Sequence, residues 1–170
     1  MADGKELTGI SHGGKSAEER FLALTGATKP AKAGDGDAVL GGAFIEVKAA
    51  SKQTLNQVRA VKYIPLVVYT SSNEWYVVPA HAVVQLVSAK SRGQHTENQF
   101  ESATLSLSAL TKYKVKESQL RKATLAAIAE AAKYPELKAA MDRVLQDSRD
   151  YARRARADVT KQIAKLELEL

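Results

Sequence analysis

The sequence predicts an α/β sandwich followed by two C-terminal helices. Segments with helical and strand patterns alternate in the order helix, strand, strand, helix, strand, strand, helix as far as residue 87. From residue 116 onward the pattern is helical, and its last segment is long. The 170 residues suit a domain spanning residues 1–111 with a helical extension over residues 112–170.

The chain carries a formal charge of +6 and a pI near 9.5, which favours polyanionic partners such as DNA. The surplus lies in residues 112–170, which hold 14 basic and 9 acidic residues against 11 and 10 before them. The chain has no cysteine, which excludes disulfides and thiol catalysis. No apolar run suits a membrane span and no signal-peptide pattern opens the chain. We therefore expect a cytoplasmic protein without membrane contact, associated with the nucleoid when bound to DNA.

The first predicted helix begins at Ser16, because serine followed three residues later by Glu19 is a capping-box pattern. Its apolar stripe ends near Gly26. Residues 1–15 are polar and rich in glycine, and we expect them to be loosely ordered.

A β-hairpin with a Gly-Gly turn at residues 41–42 is predicted next. Because strand side chains alternate between faces, Glu46 and Lys48 point to one side, and the apolar residues beside them point into a core. The preceding strand begins at Asp37, which a hairpin of this length brings beside Glu46. Asp35 is an alternative for this position, and Asp37 is favoured because apolar strand residues follow it.

Two carboxylates and an ammonium group on one face indicate a specific chemistry. Carboxylates held close together repel each other unless a cation lies between them. Mg²⁺ is commonly held by one or two carboxylates together with waters and a substrate phosphate. The set therefore predicts metal-assisted hydrolysis of a phosphodiester, with the lysine orienting or activating the attacking water. A Glu-x-Lys triplet alone is more often an exposed ion pair, so the prediction rests on all three groups together.

After the hairpin, Ser51 is predicted to cap a second helix, whose apolar residues recur at intervals of three from Leu55 to Val61. Gln57 lies on this helix near the hairpin, and Gln53 lies one turn earlier. An exposed helix position without a role is the alternative interpretation for both glutamines.

A continuous apolar run at residues 64–69 predicts a buried central strand, and residues 74–78 predict a strand that returns after a turn. Pro79 ends it, and residues 80–87 predict a short helix with its valines facing inward. Residues 104–110 alternate leucine with serine and predict a last edge strand.

The segment 88–102 is polar and has little to bury. Arginine, asparagine and glutamine make bidentate contacts to base edges, so this segment is predicted to read DNA. Its candidate residues are Lys90, Arg92, Gln94 and His95. Lys29 and Lys32, in the loop before the hairpin, are further candidates for contact with the phosphate backbone. Solvated loop residues are the alternative in each case.

Two helices are predicted after residue 116, and Tyr134-Pro135 separates them. The second extends for about 45 Å at roughly 1.5 Å per residue, which is too long to be buried on so small a core. Its apolar seam has coiled-coil-like steps of four and three. We therefore expect it to pack on the preceding helix and on a second copy, giving a homodimer or higher homo-oligomer. The seam residues are Leu137, Met141, Val144, Ser148, Tyr151, Ala155, Val159, Ile163 and Leu166.

Asp37, followed by Glu46-Val47-Lys48 on a hairpin and then by a helix and an apolar strand, resembles the PD-(D/E)xK nuclease superfamily. Restriction endonucleases and archaeal-type Holliday junction resolvases belong to this superfamily. The resemblance covers about residues 18–78, and Gly36 stands where the motif's variable proline would lie. It implies a restriction-endonuclease-like fold, in which a central mixed sheet is flanked by helices.

The resemblance also implies roles for the site residues. Asp37 and Glu46 would hold Mg²⁺, for which Mn²⁺ is a substitute, and Lys48 would position the attacking water. In the resolvase branch a glutamate on the first helix helps to bind the metal. Glu18 matches that position best and Glu19 is second, with complementation of the helix dipole as the alternative explanation.

Gln57 matches a polar residue, often glutamine, that reaches the site in many members. The implied activity is that of a Mg²⁺-dependent endonuclease whose products carry 5′-phosphate and 3′-hydroxyl groups. The polar segment 88–102 favours site-specific duplex cleavage of the restriction or homing type, for which a dimer would supply two sites. The alternatives are a Holliday junction resolvase, a non-catalytic DNA-binding or assembly subunit, and a helical oligomerisation protein.

Overall fold

The structure, a computed structural model, describes residues 14–92, 96 and 98–168. Its helices are α1 (Gly14–Thr25), α2 (Ala80–Ser88), α3 (Leu120–Ala131) and α4 (Pro135–Leu168). Its strands are β1 (Ala38–Leu40), β2 (Ala43–Ala50), β3 (Thr54–Val58), β4 (Leu66–Thr70), β5 (Trp75–Val78), β6 (Ala103–Ser106) and β7 (Lys114–Val115). Short 3-10 helices lie at Ala60–Lys62, Leu107–Tyr113 and Glu117–Gln119.

Five strands form a mixed sheet in the order β1-β2-β4-β5-β7. β2 and β4 run parallel, whereas the other neighbouring pairs are antiparallel. β3 and β6 form a separate antiparallel pair. The predicted α/β class, with its mixed sheet and long C-terminal helix, is therefore confirmed.

The central sheet is covered on both faces, which explains why β4 and β5 are buried along their whole length. On one face, Trp75 packs in a cluster with Phe21 of α1 and Leu120 of α3. On the other face, Val68 packs with residues of α2 and with Leu105 of the small sheet. The apolar runs predicted to form strands at residues 64–69 and 74–78 therefore do so, and the predicted helix at residues 80–87 is confirmed.

The segment predicted as the second helix is not an α-helix. It forms β3 and then the 3-10 helix Ala60–Lys62, so the prediction is wrong. The pairing of β3 with β6 shifts between Leu55 and Val58, where Gln57 has the left-handed φ of 54°. This bulge turns Leu55 and Val58 to the same buried side although they are three residues apart. A bulged strand therefore produces the same apolar spacing as a helical stripe.

Two element boundaries also differ from those predicted. α1 already includes Gly14, so Ser16 lies inside the helix and not at its cap. The predicted edge strand at residues 104–110 is a strand only as far as Ser106. There the Ser106 side chain accepts a hydrogen bond from the N–H of Ser108 and begins the 3-10 helix Leu107–Tyr113.

The C-terminal part of the chain contributes to the same fold. β7 pairs with β5 at the edge of the sheet, and α3 buries Leu120 and Ala127. α4 packs on the core through Met141, with Leu137 and Val144 beside it. Beyond Val144, three apolar residues of the predicted seam point largely to solvent: Tyr151, Val159 and Ile163 are 53%, 59% and 52% exposed. None of the helices described is both long and apolar enough to cross a bilayer.

Candidate active site

Asp37 is fixed at the entrance of the hairpin by two hydrogen bonds. Its backbone N–H donates to the carbonyl of Ile45 at 2.8 Å. Its Oδ2 atom accepts from the N–H of Val47, also at 2.8 Å. The carboxylate thus takes the place of a backbone carbonyl at the end of the β1–β2 pairing. Because these bonds reach the residues on either side of Glu46, Asp37 is held across from Glu46.

β2 presents Glu46 and Lys48 on one face, as its alternating pattern predicts. Ile45 and Val47 are buried, whereas Glu46 and Lys48 are half-buried on the opposite side. The Nζ atom of Lys48 lies 3.5 Å from Oε1 of Glu46. The predicted convergence of Asp37, Glu46 and Lys48 therefore matches the observed arrangement.

A second lysine, which the sequence analysis did not single out, reaches the same carboxylate. The Nζ atom of Lys62 lies 3.2 Å from Oε2 of Glu46, and the two side chains are each only 16% exposed. Lys62 ends the 3-10 helix Ala60–Lys62, which also packs against α4 and α2. Glu46 therefore has one lysine on each of its two oxygens.

Glu18 completes the acidic side of the site. It lies on α1 and lines, with Asp37, Glu46 and Lys48, an open cleft of about 490 Å³. Glu19 and Asp35, the alternatives to Glu18 and Asp37, are exposed and do not line this cleft. The arrangement favours Glu18 over Glu19 and Asp37 over Asp35. Since α1 has no acidic residue in its first turn, complementation of the helix dipole does not explain Glu18.

The electrostatics of the cleft follow from burial and from crowding of like charges. Burial raises the pKa of Asp37 and repulsion from Glu46 adds to it, while the N–H of Val47 and the two lysines act in the opposite direction. Burial likewise raises the pKa of Glu18, with further contributions from Asp37 and Glu46, against the attraction of Lys29. Burial and repulsion therefore disfavour the ionised forms of both carboxylates, and a cation placed nearby would favour them.

The carboxylates of the cleft are suitable ligands for a hard cation, but their side chains would have to move to bind one. Carboxylate oxygens are the ligands that Mg²⁺ prefers. Within residues 14–92, 96 and 98–168, however, no group of three histidine, aspartate or glutamate side chains is close enough together to hold a metal ion as it stands. Glu46 would have to exchange at least one lysine for the cation.

Gln57 does not line the cleft. It is exposed at the β3 bulge, where its predicted helix is absent, and the cleft is lined at this end by Thr54, Leu55 and Asn56. Asn56 is an amide side chain that does line the cleft, and its Oδ1 atom accepts a hydrogen bond of 3.1 Å from the hydroxyl of Thr104.

The structure describes four of the six residues that were predicted to contact DNA. Lys29 is exposed and lies close enough to Glu18 to oppose the rise of its pKa, and Lys32 is exposed in the same loop. Lys90 and Arg92 are exposed after α2 and do not line the cleft, and Arg92 donates a hydrogen bond of 3.2 Å to the carbonyl of Thr96. Gln94 and His95 lie outside the residues that the structure describes.

Comparison with known protein families and curated sequences does not identify relatives of this chain. The chain matches no protein-family model, and no curated protein sequence matches it significantly.

Proposed function

We propose that the protein is a Mg²⁺-dependent endonuclease with a restriction-endonuclease-like core that hydrolyses DNA phosphodiesters. The observation that carries the proposal is the convergence of Asp37 and Glu46 with Lys48 in one open, polar cleft. The strand parity, the acidic helix residue Glu18 and the basic chain all point in the same direction. Each feature is common alone, and their combination favours phosphodiester hydrolysis.

In this proposal Asp37 and Glu46 hold the cation, and Glu18 is a further ligand. Mg²⁺ bound there would supply Lewis-acid stabilisation of charge at the phosphate. The Val47 N–H restrains one oxygen of Asp37 and so fixes the direction of its carboxylate. Mn²⁺ would substitute because it accepts the same oxygen ligands.

Lys48 is the residue proposed to position the attacking water. Its ammonium lies on the face of β2 that lines the cleft, and its side chain is 19% exposed, so it meets the cleft without being fully solvated. Water would attack phosphorus, the bond from phosphorus to the 3′ oxygen would break, and the products would be a 5′-phosphate and a 3′-hydroxyl. The lysine would offset the negative charge that develops on the phosphate.

The substrate is proposed to be duplex DNA, cut at specific sites in the manner of restriction or homing enzymes. A single cleft of this kind cuts one strand, so cleavage of both strands would require two copies. The exposed apolar residues of α4 beyond Val144 are the proposed contact between copies. Resolution of Holliday junctions is the alternative within the same chemistry.

A non-catalytic DNA-binding or assembly subunit is the second candidate, and one observation favours it. Both oxygens of Glu46 are engaged by lysines, as in a structural ion-pair network. In that case Lys48 and Lys62 would stabilise the hairpin and would take no part in hydrolysis.

Incubation of supercoiled plasmid with Mg²⁺ tests the proposal. The native chain is compared with Glu46→Ala, Lys48→Ala and Lys161→Ala, the last being an exposed lysine on α4 outside the cleft. We expect nicking or linearisation by the native chain and by Lys161→Ala, and at least about a hundredfold loss in the other two variants. Equal nicking by all four proteins would identify a contaminant and would overturn the proposal. DNA binding without cleavage by the native chain would favour the non-catalytic subunit.

A further inference from the structure

Lys62 is an unusual lysine because most of its side chain is removed from water. Its side chain is 16% exposed, and its ammonium contacts a carboxylate that already has Lys48 as a partner. Removing an ammonium from water is unfavourable unless it is paired. Glu46 therefore has two ammonium partners, and Lys62 also lies close enough to Asp37 to oppose the rise of its pKa.

The position of Lys62 is set by contacts elsewhere in the fold. The next residue, Tyr63, has a left-handed φ of 50°, and its hydroxyl donates to the carbonyl of Ala131 at 3.1 Å. Val61 is fully buried, and its N–H donates to the carbonyl of Phe100 at 2.8 Å. Lys62 is thus directed toward Glu46 by a rigid segment with anchored residues on both sides.

We propose that Lys62 is a built-in competitor of the divalent cation: its ammonium occupies the place on Glu46 that the cation must take. The inference rests on the proposed function and specifies how the site is loaded. Oε2 of Glu46, which contacts Lys62, faces a hard cation only after the ammonium withdraws. Lys62 is therefore a positioning residue, which holds Glu46 in place in the cation-free protein and weakens cation binding.

The charges near the cleft give the sign of the effect. Glu18, Asp37 and Glu46 line the cleft together with Lys48 and Lys52, and Lys62 reaches Glu46 from the 3-10 helix Ala60–Lys62. Replacing Lys62 with a neutral residue makes the surroundings of Glu46 more negative by one charge unit and frees one oxygen of Glu46. Both changes favour a divalent cation, since its attraction to a charge scales with both charges and falls with distance.

Cation binding to the full chain, measured by isothermal titration calorimetry with Mn²⁺ and Mg²⁺ in the absence of DNA, tests the proposal. We expect Lys62→Met to bind both cations more tightly than the native chain, by about tenfold or more. Lys62→Gln is the second variant, in case the apolar replacement does not fold. Lys62→Arg keeps the charge beside Glu46 and should bind within about threefold of the native chain.

Lys52 provides the matched control, because it is a lysine that lines the cleft with Glu46 and is exposed to solvent. At physiological salt, Lys52→Met should change the affinity by less than about twofold, since an exposed charge is well screened. An equal gain in cation affinity in Lys52→Met and Lys62→Met would show that the effect comes only from the overall charge of the cleft, and it would overturn the proposal. Unchanged or weaker binding by Lys62→Met and Lys62→Gln would also overturn it.

Asp37→Asn separates this inference from the proposed function. Binding that depends on Asp37 but not on Lys62 would contradict the competitor role and leave the metal site in place. If neither the native chain nor Lys62→Met binds either cation at millimolar concentrations, the proposed metal-dependent function fails together with the inference.

Discussion

Oδ2 of Asp37 accepts a hydrogen bond of 2.8 Å from the backbone N–H of Val47, ten residues later in the chain. The bond extends the β1–β2 pairing by one side-chain contact and holds an ionisable group opposite Glu46. A backbone donor restrains the carboxylate more firmly than a long, flexible side chain would. The hairpin therefore brings the two carboxylates together, while the Val47 N–H holds Asp37 and the two lysines hold Glu46.

Asp37→Asn should abolish DNA cleavage without destabilising the fold. Asparagine retains an oxygen that accepts the Val47 N–H, while it removes a carboxylate whose pKa is raised by burial. We expect at least about a hundredfold loss of cleavage and an unchanged or slightly higher Tm. Asp35→Asn, an exposed control outside the cleft, should leave both cleavage and Tm unchanged. Loss of cleavage in Asp35→Asn but not in Asp37→Asn would reverse the assignment.

The same carboxylate should make the metal-free protein less stable as the pH rises. Because the folded pKa of Asp37 is raised, the folded state binds the proton more tightly than the unfolded state. Its contribution is fully present below the ordinary value of 3.8 and is lost as the pH rises through the folded pKa. Urea denaturation should therefore show the advantage of Asp37→Asn over the native chain growing from about pH 4 upward. An advantage that shrinks over that range would contradict the raised pKa.

Tyr63→Phe should destabilise the protein and disturb the placement of Lys62. The substitution removes the donor to the carbonyl of Ala131, a bond of 3.1 Å in a buried position. We expect a loss of about 1–2 kcal/mol in the free energy of unfolding, measured in urea. Tyr151→Phe on α4 is the matched control, since Tyr151 is 53% exposed, and it should change stability by less than about 0.5 kcal/mol. Equal effects of the two substitutions would rule out the buried hydrogen bond as the cause.

Gly36→Ala tests the close approach beside the site. A Cβ atom at Gly36 would lie 3.0 Å from the carbonyl oxygen and 3.3 Å from the amide nitrogen of Ile45, both backbone atoms of β2. Alanine usually gains stability over glycine through the unfolded chain, so a net loss would indicate steric strain. We expect a loss of about 1 kcal/mol or more in urea denaturation. A stabilised variant would show that β2 shifts without penalty.

The parts of the candidate site that could be predicted from the sequence depend on local backbone geometry. The alternation of Ile45 and Val47 with Glu46 and Lys48 is a property of any strand with one buried face, so parity alone places Glu46 and Lys48 on the same side. Asp37 follows from the short hairpin, whose two-residue turn fixes which residues meet. Local sequence patterns also predicted β4 and β5, from their apolar runs, and α4, from its long helical pattern.

The parts that sequence reasoning missed depend on contacts between distant segments. A bulge at Gln57 gives β3 the apolar spacing of a helix, and only its pairing with β6 distinguishes the two. Lys62 reaches Glu46 from sixteen residues away, through a segment whose position depends on the contact of Tyr63 with Ala131. No local pattern marks that lysine among the other lysines of the chain.

The measurement that tests the central claim most directly is an anomalous-scattering experiment on crystals soaked in Mn²⁺. The account predicts a strong anomalous peak within ligand distance of Asp37 and Glu46, with the ammonium of Lys62 displaced from Oε2 of Glu46. A map in which Mn²⁺ binds elsewhere, while both lysines still contact Glu46, would contradict it.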